Sequence, residues 1–294
     1  MEVWYGPEDQ PNYVRLIGPP NTLAYDVIRR RKDIPFYGRN LEILGDVVYQ
    51  DIDFKPFVDD AFIDPDDEDC QKKMNDLPIV HFDPSEHFAK LPTYNQEIDN
   101  LVKCHGNPHI VQLLGRTEEE TSRLVFEKHP HDLLVAATMN RGKDKVLNIK
   151  MWMLQIIDGV AFMHSLGLIH RDLIARNILV GKPAAIDDRP ASDTFATNPV
   201  VLCDLQCRHA TLRAPEVCRN GTFTPASDIY CLGYVLWQLC YYNNPIDRFI
   251  LRDFPPPAPF DTLFEECMKD DPSQRPTLEK LRVMLVDLSV DGYY

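Results

Sequence analysis

The pattern of apolar and polar residues divides the chain into a first part of short strands and a later part rich in helices. Short apolar runs bounded by Pro, Gly and Asp predict strands, and apolar residues returning every three or four positions predict helices. The predicted strands cover residues 14–18, 41–44, 47–49, 77–82, 110–114, 123–126, 178–180 and 200–203. The predicted helices cover residues 94–104, 146–165, 227–241, 261–269 and 278–287. Strands followed by helices predict an α+β fold.

The predicted helix at residues 94–104 has Ile98, Leu101 and Val102 on one face, which we expect to be buried. Residues 59–69, by contrast, are mostly acidic and predict an exposed loop, with a cation or basic-partner site as the alternative. Their spacing does not fit an EF-hand, because the sixth loop position lacks Gly and the twelfth lacks Glu.

Composition narrows the function classes. The chain has 294 residues and a formal net charge of −14, which argues against nonspecific binding to nucleic acid or to anionic membranes. The eight scattered cysteines form no C-x-x-C pair and predict reduced thiols in an intracellular, cytoplasmic protein. The N-terminus lacks the pattern of a secretory signal, and the longest apolar run, residues 230–242, is too short to span a bilayer. We therefore expect a soluble protein that acts on a protein partner or a small molecule.

The most informative stretch is LIHRDLIARNILV, residues 168–180. It resembles the protein-kinase catalytic loop H-R-D-x-x-x-x-N, with His170, Arg171, Asp172 and Asn177 at the family spacing. The resemblance implies a two-lobed fold, with a small β-rich N-lobe and a larger helical C-lobe. It also implies that Asp172 takes the proton of the attacking hydroxyl and that Asn177 reaches a magnesium ion on the phosphates.

Further kinase motifs follow in the order of that family. Residues 214–216 read A-P-E, Arg275 matches the ion-pair partner of this motif, and Asp228 matches the residue that anchors the catalytic loop. The metal-binding Asp of the D-F-G motif corresponds to Asp204, although Leu and Gln follow it in place of Phe and Gly. Four residues match the apolar spine that couples the lobes: Leu101, Leu113, His170 and Leu205.

The strand-three lysine of the family is the first apparent departure. Aligning LPIVHF, residues 77–82, with the V-A-I-K strand puts His81 in the position of the lysine and Glu97 in that of the C-helix glutamate. A His with a Glu neighbour retains some phosphate contact if it is protonated. Lys55 and Lys90 are the alternative cations.

Two more departures concern the phosphate loop and the activation segment. No G-x-G-x-x-G sequence exists, and the two registers considered for it start at Gly18 or end at Gly45. In the second register, Glu42 and Asp46 would face the phosphates and repel them. The segment from Asp204 to Glu216 is short and contains one hydroxyl residue, so we expect Arg171 to lack an activating phosphate partner.

The resemblance also implies a nucleotide cleft. Phe126 matches the gatekeeper, Glu127 and His129 belong to the hinge, and Leu179 would floor the adenine pocket. Asn177 and Asp204 would hold Mg²⁺, and ATP would be the nucleotide. The predicted divisions are residues 1–76 as a divergent extension and start of the N-lobe, 77–127 as the rest of the N-lobe, and 128–294 as the C-lobe.

Three functions fit these features. The leading hypothesis is a pseudokinase that binds, scaffolds or regulates, because the lysine, the glycine-rich loop and the activation segment that forms the platform for a peptide substrate are altered together. The second is an active but atypical phosphotransferase on a small substrate, with Asp172 as the base. The third is a different transferase, of nucleotidyl or aminoacyl groups, using the same cleft with a cationic substrate beside Glu42, Asp46 and Glu97.

Overall fold

The computed structural model describes the backbone of four strands between residues 2 and 51, and residues 69–119, 121–139, 144–181, 198–205, 213–244 and 248–290. The strands are β1 Glu2–Tyr5, β2 Asn12–Ile17, β3 Asn40–Leu44, β4 Val47–Asp51, β5 His87–Lys90, β6 Leu113–Arg116, β7 Leu124–Glu127, β8 His131–Asp132, β9 Ile178–Val180 and β10 Val200–Leu202. The α-helices are α1 Gln71–Asn75, α2 Asn95–Lys103, α3 Leu133–Met139, α4 Lys145–Ser165, α5 Pro215–Asn220, α6 Pro225–Tyr241, α7 Arg248–Asp253, α8 Asp261–Cys267 and α9 Leu278–Asp287. Short 3₁₀ helices cover Ala175–Asn177 and Pro272–Gln274.

The chain separates into two compact units, residues 1–64 with 241–255 and residues 65–240 with 256–294. The first unit contains a four-stranded sheet in the order β1-β2-β3-β4, in which β2 and β3 run parallel and the other pairs run antiparallel. Both registers considered for a glycine-rich loop, at Gly18 and Gly45, fall outside the described residues. So does the acidic segment, except for Asp69.

The second unit begins with a three-stranded antiparallel sheet in the order β5-β7-β6. The predicted strand at residues 77–82 is wrong, because this segment contributes only an isolated bridge between Ile79 and Arg116. The Arg116 amide donates to Pro78 O and the Val80 amide donates to Arg116 O, each at 2.9 Å. A Cβ on Gly115 would lie 2.2 Å from Pro78 O, so this close approach requires glycine.

Helices form most of the rest of the second unit. Helix α6 is buried along nearly its whole length, and Trp237 on it and Trp152 on α4 are among the largest fully buried side chains. A small sheet, β10-β9-β8, lies beside them, and α9 is tied to α4 by a 2.8 Å ion pair from Arg282 to Asp158. Strands with a helix in the first part and helices around a small sheet in the second form the predicted two-lobed α+β arrangement.

Most predicted helices are confirmed with shifted ends. Helix α2 buries Ile98 and Leu101 as predicted, but Val102 is 55% exposed, so its placement on the buried face is wrong. The helix ends at Lys103, one residue before the predicted end at residue 104. Val102 lies in its last turn, where the apolar pattern alone does not decide burial.

Two findings bear on the expectations about membranes and cysteines. By length and composition alone, α4 is one helix among the described residues that could span a membrane, but half of its most apolar window is buried inside the fold. The core helix of a soluble protein meets the same criteria, so this is weak evidence for a membrane span. No disulfide joins the seven cysteines in the described part of the chain.

Candidate functional site

Two polar side chains of α6 hold the loop at residues 168–177 in place through hydrogen bonds to its backbone. The carboxylate of Asp228 accepts hydrogen bonds from the backbone amides of His170 at 2.9 Å and Arg171 at 3.0 Å. Its Oδ2 also lies 2.9 Å from Nε2 of His164. Further along the helix, Gln238 Oε1 accepts from the Ala175 amide at 2.8 Å. Since Asp228 is fully buried, these bonds hold the loop in one conformation.

Within this loop, Asp172 and Asn177 lie side by side. The Asn177 amide group donates to both the backbone oxygen and the Oδ2 atom of Asp172, each at 3.0 Å. Asp172 is 7% exposed, so its carboxylate is held in a largely buried position. Arg171, just before it, has a positive φ of 75°, a strained backbone conformation that is common at functional sites.

The β9–β10 hairpin brings Asp204 to the same place. The two strands pair antiparallel, with Leu202 opposite Ile178, so the residue before β9 and the residues after β10 lie at the same end. The Cys203 amide donates to the backbone oxygen of Asn177 at 3.0 Å. Asp204 follows directly, with a positive φ of 58°. The hairpin therefore places Asn177 and Asp204 close together, as the resemblance implied.

A lysine lies between two of the predicted acidic site residues. Lys90 Nζ, at the end of β5, is 2.6 Å from Glu97 Oε1 and 2.7 Å from Asp204 Oδ1. Burial lowers the pKa of Lys90, but the negative charges of Glu97 and Asp204 outweigh burial and raise its pKa above the ordinary value. Lys90 is therefore a fixed cation at any physiological pH.

The placement of His81 in the lysine position is wrong in this structure. His81 is exposed and follows the bridge at Ile79, whereas Lys90 ends a true strand that pairs with β7. The sequence alignment failed because LPIVHF has a more strand-like pattern than HFAK. Lys90, an alternative cation in the sequence, ranked below His81 because of this weaker strand pattern.

A cavity of about 640 Å³ opens beside these charges. This volume lies within the range of small-molecule sites, roughly 300–1,000 Å³. Seven of the predicted site residues line the cavity: Glu97, Phe126, Glu127, Asn177, His129, Leu179 and Asp204. His81, Arg171 and Asp172 are not among its lining residues. Asp172 is hydrogen-bonded to Asn177, which does line the cavity.

Lys128, between Glu127 and His129 in the predicted hinge, also lines the cavity. Further lining residues that were not predicted include Asp132, Arg176 and Cys203. Their positions in the sequence contain a usable signal, because Asp132 closely follows His129, and Arg176 and Cys203 directly precede Asn177 and Asp204. Burial first, and then the charge of Asp204, raises the pKa of the Cys203 thiol to about 12.

Arg171 has an aromatic neighbour. Its guanidinium carbon lies 5.6 Å from the centre of the Phe223 ring, within the range of a cation–π contact. The segment at residues 206–212, where an activating phosphate would be carried, lies outside the described residues. The four predicted spine residues, Leu101, Leu113, His170 and Leu205, are all buried.

The A-P-E motif forms the ion pair that its resemblance implied. Arg275 Nη1 and Nη2 donate to the two carboxylate oxygens of Glu216, each at 2.7 Å. The guanidinium carbon of Arg275 also lies 5.0 Å from the centre of the Tyr230 ring. This bidentate pair ties α5 to the segment after α8 and supports the C-terminal side of the site.

The donor set fits magnesium better than a transition metal. No group of three or more His, Cys, Asp or Glu side chains suited to a metal occurs among the residues that the structure describes. Mg²⁺ needs fewer protein ligands, because it binds through one or two carboxylates together with phosphate oxygens and water. Asp204, with a half-exposed side chain, and the amide oxygen of Asn177 are oxygen ligands of this kind.

Comparison with known proteins agrees with this geometry. The sequence model of the protein kinase domain matches residues 80–284, from before β5 into α9. The chain belongs to the protein kinase family. This kinase domain contains the catalytic-loop Asp, the two candidate metal ligands and a strand lysine paired with a helix glutamate.

Individual relatives are kinases of several kinds. The chain is 28% identical over 192 residues to the megakaryocyte-associated tyrosine-protein kinase of Rattus norvegicus, covering 59% of this chain and 40% of the relative. It is 24% identical to the probable serine/threonine-protein kinase drkB of Dictyostelium discoideum, covering 69% of this chain and 32% of the relative. It is 30% identical to mitogen-activated protein kinase kinase kinase 7 of Bos taurus, covering 47% of this chain and 27% of the relative. The matched part of this kinase domain is thus less than half the length of each relative.

Proposed function

We propose that this kinase domain binds a magnesium–nucleotide complex in the cavity and transfers its terminal phosphoryl group to a hydroxyl, with Asp172 as the base. The arrangement of Lys90 between Glu97 and Asp204 carries this proposal. The sequence argument for a pseudokinase depended in part on a missing lysine, and Lys90 removes that part. Localisation in the cytoplasm stays a proposal based on composition and reduced cysteines.

Each side chain has a role that follows from its position. The ammonium of Lys90 contacts phosphate oxygens, and Glu97 keeps that ammonium oriented toward the cavity. Asn177 and Asp204 would hold magnesium, which neutralises charge on the phosphates when it is bound. Phe126 and Leu179, at the cavity wall, provide apolar contacts for a planar base.

The transfer step needs one general base. Asp172 takes the proton of the acceptor hydroxyl while the hydroxyl oxygen bonds to the terminal phosphorus. At the same time, the bond from that phosphorus to the bridging oxygen breaks. The nucleoside diphosphate leaves with that bridging oxygen. Asn177 supports Asp172 by donating to its Oδ2, which orients the carboxylate.

The scaffold function is the second candidate, and a specific feature favours it. No G-x-G-x-x-G occurs in the sequence, so the usual backbone cradle for phosphates is missing. The third candidate, nucleotidyl or aminoacyl transfer, loses part of its basis. Its cationic substrate was to lie beside Glu97, but Lys90 already pairs with that carboxylate.

Product analysis separates the three functions. The full chain is incubated with ATP and Mg²⁺ and a panel of hydroxyl and peptide acceptors, with and without an aminoacyl donor. ADP, AMP, pyrophosphate and modified acceptors are measured by chromatography for wild type and Asp172→Asn. Our account predicts Mg²⁺-dependent ADP formation that falls by about 10²–10⁴-fold in Asp172→Asn, since general-base catalysis contributes that much. Asn is a suitable replacement because its oxygen can still accept from Asn177.

Other outcomes favour the other functions. ATP binding with no ADP above the Asp172→Asn level would support the pseudokinase. Pyrophosphate in place of ADP, with AMP joined to the acceptor, would support nucleotidyl transfer. Product from an aminoacyl donor with no ATP consumed would support aminoacyl transfer.

A further inference from the structure

The short helix α1 contacts the helix that carries Glu97, on the side away from the cavity. Lys73 Nζ donates to the backbone oxygen of Asn95 at 3.3 Å and forms an ion pair with Asp99 Oδ2. In the other direction, Asn95 Nδ2 donates to the backbone oxygen of Asp69 at 3.2 Å. Three polar contacts therefore join α1 and the residue Asp69 before it to the first turns of α2.

Helix geometry puts these contacts opposite Glu97. Asn95 and Asp99 are four residues apart and share one face of α2. Glu97 is two residues from each, which is about 200° around the helix. Thus Lys73 holds the outer face of α2, while Glu97 on the inner face pairs with Lys90.

Helix α1 is itself firmly anchored in the second unit. Met74 is 1% exposed and Cys70 is 5% exposed, so the apolar side of α1 is part of the core. Just after the helix, Pro78 and Val80 make backbone hydrogen bonds to Arg116 at the edge of β6. Because α1 is held on both sides, its contacts with α2 restrain the position of α2.

Helix α2 depends on external contacts of this kind. It has nine residues, and its N-cap residue Tyr94 makes no side-chain hydrogen bond to the helix. Short helices without a cap fray at their first turn unless other groups hold them. Glu97 lies in that first turn, so fraying would separate it from Lys90.

We infer that α1 acts as a clamp on α2, with Lys73 as the positioning residue that keeps Glu97 paired with Lys90. The clamp is defined as Asp69 to Asn75. It stabilises the Lys90–Glu97 pair through contacts within the chain itself. Its effect on nucleotide affinity rests on the proposed function, but its effect on α2 does not.

The test compares charge variants of the full chain by hydrogen exchange. Lys73→Glu replaces the attraction to Asp99 with repulsion and should speed amide exchange in α2 by about two- to tenfold, the effect of one partly exposed ion pair and its reversal. The double variant Lys73→Glu with Asp99→Lys restores opposite charges and should return exchange to near the wild-type rate. Helix α6 is the internal reference, and its exchange should not change.

Lys72→Glu is the matched control. Lys72 is exposed on the same helix and makes no ion pair within the part of the chain that the structure describes. Equal exchange of α2 in Lys73→Glu and Lys72→Glu would overturn the clamp, and so would failure of the charge swap to restore protection.

A second readout separates this inference from the proposed function. Mg²⁺–ATP affinity, measured by calorimetry, should weaken in Lys73→Glu by a factor similar to the change in exchange and recover in the charge swap. If wild type binds no nucleotide, the proposed function fails, while the exchange result still decides whether the clamp exists. Binding by wild type with unchanged affinity in Lys73→Glu would contradict the link from the clamp to Glu97.

Discussion

The side chain of Lys90 lies between two carboxylates that come from different elements, Glu97 on α2 and Asp204 after β10. One ammonium group between two carboxylates leaves a local formal charge of −1. A magnesium ion beside Asp204 would therefore be attracted, while Lys90 remains able to contact a phosphate. Under the proposed function, this balance would let a cation and an anion bind in one cavity.

Cys203 provides a prediction at the residue scale. Alkylation requires the thiolate, and the pKa of about 12 leaves very little thiolate at pH 8. In the native protein, iodoacetamide should modify Cys203 about 100-fold more slowly than the exposed Cys218, and the Cys203 rate should rise about tenfold per pH unit from pH 7 to 9. Mass spectrometry of the two peptides over time measures both rates. Equal rates at pH 8 would contradict the raised pKa.

Residues in contiguous motifs could be predicted from the sequence, and Lys90 could not be assigned with certainty. Asp172 and Asn177 belong to one loop of fixed length, so their spacing in the sequence is enough to predict that they lie close together. Lys90 and Glu97 meet through a sheet and a helix whose connection length varies. The partner of Arg171 could not be predicted either, because Phe223 is 52 positions later and only the fold brings the two together.

At the scale of elements, α6 acts as the support of the catalytic loop. Asp228 and Gln238, at either end of one buried face, accept backbone hydrogen bonds from opposite ends of the loop. Because α6 is buried along nearly its whole length, it provides a rigid base for the loop. The loop geometry therefore depends on the core and not only on its own residues.

Removing this support should destabilise the protein. Asp228→Ala leaves the amides of His170 and Arg171 without their acceptor, so we expect the free energy of unfolding to fall by about 3–5 kcal/mol. Urea denaturation followed by circular dichroism measures the change. Asp287→Ala, at an exposed position on α9, is the control and should change stability by no more than about 0.5 kcal/mol. Similar midpoints for the two variants would show that the loop is not anchored through Asp228.

The Glu216–Arg275 pair gives stability a pH dependence. Burial raises the pKa of Glu216, but the hydrogen bonds from Arg275 outweigh burial and hold this pKa below its ordinary value. A carboxyl whose folded-state pKa is lowered adds stability above its unfolded pKa, about 4.3, and that stability is lost as pH falls through the folded pKa. Urea midpoints should therefore fall below about pH 4 in wild type and fall less steeply in Glu216→Gln. The same slope in both proteins would rule out this contribution.

Elements with strong periodicity were predicted well, and short ones were not. The helices at α4, α6 and α9 follow clear apolar repeats, and the structure confirms them with small shifts of their ends. Runs of four to six residues contain too few positions to separate a strand from an extended loop. That is why residues 77–82 were predicted as a strand, and why β5, the strand that carries Lys90, was missed.

At the scale of the whole molecule, the family match and the compact units do not begin at the same residue. The protein kinase model begins to match at residue 80, whereas the second unit begins at residue 65. The residues between them include α1, the clamp on α2. The predicted division at residues 76 and 127 stays a prediction, since no comparison tests it. The chain therefore carries at least one element outside the family match that contacts α2, the helix that bears Glu97.

Calorimetric titration of the full chain with Mg²⁺–ATP tests the central claim most directly. The titration uses wild type, Lys90→Met and His81→Ala, which separate the two positions considered for the phosphate-binding cation. Our account predicts Mg²⁺-dependent binding to wild type and His81→Ala, and an affinity at least about tenfold weaker, or 1.4 kcal/mol, in Lys90→Met. No binding by wild type at millimolar ATP, or a loss of affinity in His81→Ala with Lys90→Met unaffected, would contradict it.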